Sequence, residues 1–146
     1  MRQLIIFDFA GTIDSGREEK NIIESIKNLS SKYFLAIVSS TSSSYIKSYL
    51  KERGAFSSFS DILGSDFALS KLERMKNLFE KYNLTAQDAV LVTDTLGDIT
   101  EAKEIGMNSI AVTWGLDDRK TLEKGKPVAI IDDPRELENA INNVLK

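Results

Sequence analysis

Short, continuous apolar runs alternate along this chain with segments of helical periodicity. Five runs of four or five residues carry the pattern: 4–7, 34–38, 89–92, 109–112 and 128–131. A weaker sixth covers residues 61–63. Runs that are apolar throughout, rather than at alternate positions, are typical of strands buried on both faces of a parallel sheet. The alternation therefore predicts an α/β fold, with a parallel sheet of five to six strands and helices on both of its faces.

Apolar stripes at helical spacing separate the runs, and several carry end signals. The stripes, and a weaker short one, fall within residues 22–29, 45–50, 72–82, 99–105, 137–145 and 116–123. Ser70 and Glu73 form a capping-box pattern before the third stripe, and Gly106 follows the fourth. Asp133 and Pro134 predict the N-cap and first position of the last helix.

Two residue types are missing from the 146-residue chain, and their absence excludes several chemistries. Without cysteine there is no disulfide, thiolate nucleophile or cysteine-bound metal, and without histidine there is no Ser–His–Asp triad or imidazole-bound metal. Most remaining ligands are oxygens, which suit a hard cation such as Mg²⁺. A net charge of −3 gives no indication that the chain binds nucleic acid. The first apolar run is too short to span a membrane, so we expect a cytoplasmic protein without a membrane partner.

Chemically useful side chains follow the predicted strands at their carboxyl ends or open the helices that come next. They are Asp8, Ser39, Ser40, Lys71, Asp94 and Asp98. In parallel α/β sheets these ends share one edge, and ligands bind beyond it. Three carboxylates with only one lysine beside them repel one another, which costs free energy unless a cation binds between them. The sequence therefore predicts a cation site at this edge.

The segment 7–12, Phe-Asp-Phe-Ala-Gly-Thr, resembles the first signature of the haloacid dehalogenase-like hydrolase superfamily. Three further signatures follow in order: a strand ending in Ser39, Lys71 at a helix start, and segment 92–98 with its two acids. Segment 102–115 is similar to the phosphoglycolate-phosphatase-like members. The resemblance covers almost the whole chain. It implies a three-layer α/β/α, Rossmann-like fold that forms a single catalytic core domain over residues 1–146.

The resemblance also implies a role for each residue. Asp8 would be the nucleophile that forms an aspartyl-phosphate, which divides one hard step into two easier ones. Mg²⁺ would bind to Asp8, the backbone carbonyl of Ala10 and Asp94, and to Asp98 either directly or through water. The phosphoryl oxygens would be bound by Ser39, Ser40, Lys71 and the loop of Phe9, Ala10 and Gly11. The implied activity is Mg²⁺-dependent phosphatase or phosphoryl-transfer chemistry.

The chain departs from the family pattern in three places. Ala10 stands where family phosphatases usually carry a second Asp that serves as general acid and base, a role worth about 10²–10⁴-fold in rate. A methyl group cannot transfer a proton, so slow hydrolysis is expected. Segments 13–32 and 41–70 are too short for a cap domain, which leaves the site open or covered by a second copy of the chain. Asp14 lies one residue closer to Asp8 than is usual.

These departures leave two functions open. The first is a capless phosphatase that acts on a phosphorylated small molecule or macromolecule. The alternative is a non-catalytic relative that binds Mg²⁺ and a phosphorylated ligand or protein partner, which Ala10 favours and the retained Asp8, Lys71 and Asp94 disfavour. A response-regulator receiver domain is unsupported, because no acidic residue precedes Asp8.

Overall fold

A parallel sheet of six strands forms the centre of the computed structural model, which describes residues 2–145. The strands are β1 (Leu4–Phe7), β2 (Phe34–Val38), β3 (Asp61–Leu63), β4 (Ala89–Thr93), β5 (Asn108–Val112) and β6 (Ala129–Ile131). Their order across the sheet is β3-β2-β1-β4-β5-β6, and every neighbouring pair is parallel. The predicted α/β fold and parallel sheet are confirmed, including the weak strand at 61–63.

Six α-helices connect and follow these strands in the described part of the chain. They are α1 (Glu19–Leu29), α2 (Ser43–Glu52), α3 (Lys71–Tyr82), α4 (Leu96–Glu104), α5 (Arg119–Glu123) and α6 (Leu137–Val144). The Ser70 hydroxyl accepts a hydrogen bond from the Glu73 amide at 3.2 Å, which confirms the predicted cap of α3. None of the helices within residues 2–145 is long and apolar enough to cross a membrane.

Two helix boundaries differ from the sequence-based expectation. The helix predicted over 116–123 begins only at Arg119, because the Asp118 carboxylate caps it by accepting a hydrogen bond from the Thr121 amide at 2.9 Å. At the C-terminal end, Asp133 caps a 3₁₀ turn, Pro134–Glu136, and α6 follows from Leu137. The proline therefore opens the turn rather than the α-helix.

The sheet is covered on both faces, which explains why its strands are apolar throughout. Ile5 and Phe7 of β1 pack into one cluster with α1, α2 and α6. Leu4 and Ile6 point to the other face, toward α3 and α4, because successive side chains of a strand alternate. A smaller cluster joins α4, β5 and α5. The result is the predicted three-layer arrangement.

The neighbouring strands β1 and β4 mark the point where the strand order reverses. Ligands of open α/β sheets bind at this switch point, beyond the carboxyl ends of the strands. Segment 13–32 holds a 3₁₀ turn and α1, and segment 41–70 holds α2 and β3. Within residues 2–145 there is no separate cap domain, as expected, so the carboxyl edge beside β1 and β4 is not covered by a lid from this part of the chain.

Candidate functional site

A lysine lies between two carboxylates at the switch point. Asp8 directly follows β1, Asp98 lies in the first turn of α4, and Lys71 is the first residue of α3. The Lys71 Nζ is 3.4 Å from Asp8 Oδ1 and 3.0 Å from both carboxylate oxygens of Asp98. Three residues that are far apart in the sequence are thus in direct contact, at the edge where the strand ends predicted them.

Asp98 orients Lys71 through hydrogen bonds, and Thr93 in turn orients Asp98. The Thr93 hydroxyl donates a hydrogen bond to Asp98 Oδ2 at 2.8 Å, and Thr93 is fully buried. The carboxylate therefore has a fixed orientation toward Lys71. Sequence reasoning missed Thr93, although its position at the end of β4, one residue before Asp94, was an available signal.

Asp94 is the most enclosed acid of the site, with a residue exposure of 1%. The Thr12 hydroxyl donates to its Oδ1 at 2.9 Å, and the Leu116 amide donates to its Oδ2 at 2.8 Å. A Cβ atom added at Gly11 or Gly115 would overlap Asp94, so these two loops approach the carboxylate closely only because both residues are glycine. The sequence did not indicate Thr12, Gly115 or Leu116 as partners of Asp94.

A tight turn follows Asp8 and brings Ala10 beside Asp14. The Phe9 carbonyl accepts hydrogen bonds from the amides of Ile13 and Asp14 at 2.9 and 3.1 Å, and the Gly11 amide donates to the Asp14 carbonyl at 3.1 Å. These bonds form a short bridge between Ala10 and Asp14. The same turn places Asp14 at the wall of the groove described next.

A groove of about 590 Å³ opens beside these residues. Asp8, Ala10, Gly11, Ser40 and Asp94 line it, together with Asp14, Ser15, Thr95, Trp114, Gly115 and Leu116. Ser39 does not line the groove, because it is buried and its hydroxyl accepts a hydrogen bond from the Thr41 amide at 3.1 Å. Phe9 is also buried, with its ring packed against Tyr49, so it can offer only backbone groups to a ligand.

A buried arginine, not anticipated from the sequence, fixes the start of α3. Arg74 is only 5% exposed, and its Nη1 lies 2.8–2.9 Å from the backbone carbonyls of Ser39, Leu63 and Gly64. These carbonyls follow or end β2 and β3. Arg74 therefore joins two strand ends to the first turn of the helix that carries Lys71.

A family model described as "Haloacid dehalogenase-like hydrolase" matches residues 15–112 of the chain, which is more than half of its length. This chain belongs to the haloacid dehalogenase-like hydrolase family. The matched segment includes Lys71, Asp94 and Asp98 and begins after Asp8.

Curated relatives of this chain carry phosphatase names. The phosphoglycolate phosphatase of Synechococcus elongatus is 29% identical over 112 residues, covering 77% of this chain and 53% of that protein. The probable phosphatase IndB of Dickeya dadantii is 33% identical over 117 residues, covering 78% of this chain and 51% of that protein. The chain thus spans about half the length of the curated relatives it matches.

A solved structure matches nearly the whole chain. A haloacid dehalogenase-like family hydrolase from Streptococcus pneumoniae has a TM-score of 0.82 at 19% identity and covers 96% of this chain and 98% of that one. At this identity the likeness establishes the shared fold.

The site has more negative charge than its own lysine compensates. Burial raises the pKa of Asp8 to about 7, and the carboxylates of Asp98 and Asp94 add to the rise, while Lys71 opposes it. Although burial lowers the pKa of Lys71, the carboxylates of Asp8 and Asp98 raise it overall, so the lysine remains a cation. Within residues 2–145 no three acidic side chains form a ready-made metal cage. The negative charge of these carboxylates is nevertheless only partly balanced, and their hard oxygen atoms suit a cation such as Mg²⁺.

The raised pKa of Asp8 predicts a pH-dependent stability of the metal-free protein. With a folded-state pKa of about 7 against an ordinary value of 3.8, Asp8 binds more protons in the folded state between these pH values. The free energy of unfolding therefore falls as pH rises from about 4 to about 7. Asp8→Asn removes this loss and is expected to raise the free energy of unfolding by up to about 4 kcal/mol at pH 8 in EDTA, with little change at pH 4.

Urea unfolding of wild type and Asp8→Asn across this pH range measures the difference. A variant that is less stable at pH 8, or a difference independent of pH, would contradict the electrostatic interpretation.

Proposed function

We propose that this chain is a Mg²⁺-dependent phosphatase that hydrolyses phosphate monoesters through an aspartyl-phosphate on Asp8, with residues 1–146 as a single catalytic core domain. The observation that carries the proposal is the contact of Lys71 with Asp8 and Asp98, at 3.4 and 3.0 Å, at the switch point of the sheet. The phosphatase names of the curated relatives support the same chemistry.

In the proposed reaction, Asp8 supplies the nucleophile and Lys71 the charge. A carboxylate oxygen of Asp8 attacks phosphorus while the bond to the leaving oxygen breaks, and water later releases phosphate from Asp8. The Lys71 ammonium stabilises the negative charge of the phosphoryl oxygens as the bonds change. Asp98 and Thr93 keep the lysine oriented, so little reorganisation accompanies the step.

The carboxylates of Asp8, Asp94 and Asp98 and the backbone carbonyl of Ala10 are the groups that would hold Mg²⁺. The ion would supply positive charge that offsets the repulsion between these acids and the incoming phosphate. Thr12 and the Leu116 amide hold Asp94 in a fixed position, so it needs no rearrangement to serve as a ligand.

Two measurements test the proposal together. p-Nitrophenyl phosphate is expected to be hydrolysed in Mg²⁺ and not in EDTA. In ¹⁹F NMR, beryllofluoride with Mg²⁺ is expected to give a bound fluoroberyllate signal in wild type that is absent in Asp8→Asn. Hydrolysis that EDTA leaves unchanged, or a bound signal that persists in Asp8→Asn, would refute the Mg²⁺-dependent mechanism at Asp8.

The second candidate function is non-catalytic binding of Mg²⁺ and a phosphorylated ligand or protein, and one observation favours it. Ala10 is exposed at the groove, where it presents only a methyl group. A protein of this kind would give the fluoroberyllate signal without turning over any ester, so the two measurements distinguish the functions.

Ala10→Asp is expected to raise turnover by up to about 10²-fold, more for alkyl than for aryl phosphates. Alkyl leaving groups need a proton, whereas p-nitrophenolate needs little protonation. Initial rates on both ester classes measure the effect. Ser15→Asp is the matched control, because it adds the same charge to the same groove at another position. Fast alkyl-ester hydrolysis by wild type that is lost in Asp14→Asn would instead assign the proton transfer to Asp14.

A further inference from the structure

The groove beside Asp8 has acidic and apolar walls but no basic side chain. Asp8, Asp14 and Asp94 provide its carboxylates, and none of the residues that line it is lysine or arginine. Lys71, the cation in contact with Asp8, also bonds both carboxylate oxygens of Asp98. A substrate phosphate would already bring negative charge to this place. If the leaving group carried an anionic group of its own, no cationic side chain within the groove could pair with it.

The apolar wall is held in position but left uncovered. Leu116 is 80% exposed, although its amide is anchored to Asp94 at 2.8 Å. The neighbouring Trp114 is half-buried, and its Nε1 donates a hydrogen bond to the Thr12 carbonyl at 3.0 Å. The one polar atom of the indole is therefore satisfied, and the rest of the ring can offer only apolar contact. Covering such surface with an apolar ligand is favourable.

We infer that this groove selects phosphate monoesters with an uncharged, apolar or aromatic leaving group, which lies against Trp114 and Leu116, and that it discriminates against leaving groups bearing a carboxylate. The inference rests on the proposed function and adds a substrate class to it. Phosphoglycolate, after which several of the curated relatives are named, carries a carboxylate close to its phosphate. It is therefore expected to be a poor substrate of this chain.

A matched pair of esters tests the selectivity. Phenyl phosphate and 4-carboxyphenyl phosphate differ by one carboxylate, and that carboxylate makes the leaving phenolate slightly better. Wild type with Mg²⁺ is expected to show at least about tenfold higher kcat/KM for phenyl phosphate. Binding provides a second readout without turnover: benzylphosphonate is expected to raise Tm more than phosphonoacetate at equal concentration.

Variants at the exposed leucine locate the source of the discrimination. Leu116→Arg is expected to raise kcat/KM for the carboxylated ester about threefold to fivefold, as an exposed ion pair would. Leu116→Met controls for side-chain length. Val128→Arg adds the same charge at a half-exposed position outside the groove and should leave the ratio of the two esters unchanged.

The possible results separate this inference from the proposed function. Equal or higher activity on the carboxylated ester in wild type, or equal effects of Leu116→Arg and Val128→Arg, would overturn the selectivity while leaving the phosphatase function standing. If neither ester is hydrolysed above the Asp8→Asn background, the proposed function fails. The phosphonate binding comparison then decides the selectivity of the groove alone, and tighter binding of phosphonoacetate would overturn it.

Discussion

Asp8→Asn is expected to reduce turnover of p-nitrophenyl phosphate at least about 10⁴-fold, to the background rate, because an amide cannot form the aspartyl-phosphate. The substitution keeps the size of the side chain, so loss of packing does not account for such an effect. Initial rates in Mg²⁺ measure it.

Asp61→Asn is the matched control for this substitution. Asp61 lies at the start of β3, at the opposite end of the sheet, where it pairs with Lys81 and Tyr82. Its variant should keep wild-type turnover. Retained activity in Asp8→Asn would show that another residue attacks phosphorus, and the assignment of the nucleophile would be wrong.

Lys71→Met is expected to lower kcat by about 10²–10³-fold, the cost of removing one positioned group that stabilises transition-state charge. Methionine keeps much of the apolar stem of lysine and removes its charge. The effect is measured with the same ester, after circular dichroism has shown that the variant is folded.

Lys76→Met provides the comparison on the same helix. Lys76 lies five residues further along α3 and is exposed, so its variant should retain wild-type activity. A large loss in Lys76→Met with none in Lys71→Met would reverse the assignment of the phosphate-binding lysine.

Much of the fold was predictable because its strands are buried on both faces. In the sequence such strands are unbroken apolar runs. The strands at 4–7 and 34–38 have the same bounds as the runs that predict them. The carboxyl ends then gave the positions of Asp8 and Asp94, because a parallel sheet brings these ends to one edge. The start of α5 was wrong by three residues, because the amide of Leu116, the first residue of the predicted stripe, bonds Asp94 in a loop and the helix begins only after its cap, Asp118.

The supporting contacts of the site were not predictable, because no local pattern encodes them. Thr12 and Asp94 are 82 positions apart, and their hydrogen bond depends on how two loops fold toward each other. Arg74 occupies a helical position that reads as an ordinary surface residue, yet it reaches carbonyls at the ends of two strands. Such contacts are set by loop geometry and helix placement rather than by periodicity.

Arg74 connects the outer strand β3 to the first turn of the helix that carries Lys71. Its buried guanidinium bonds the carbonyls of Ser39, Leu63 and Gly64, so local opening of β3 would remove two of these three partners from a buried charge. Fraying of this edge strand would also release the first turn of α3, where Lys71 begins the helix. We therefore expect the short, three-residue β3 to open together with the first turn of α3. The amide of Ser39, which donates to the Leu63 carbonyl, and the amide of Arg74, which donates to the Ser70 carbonyl, should exchange with solvent in the same opening event.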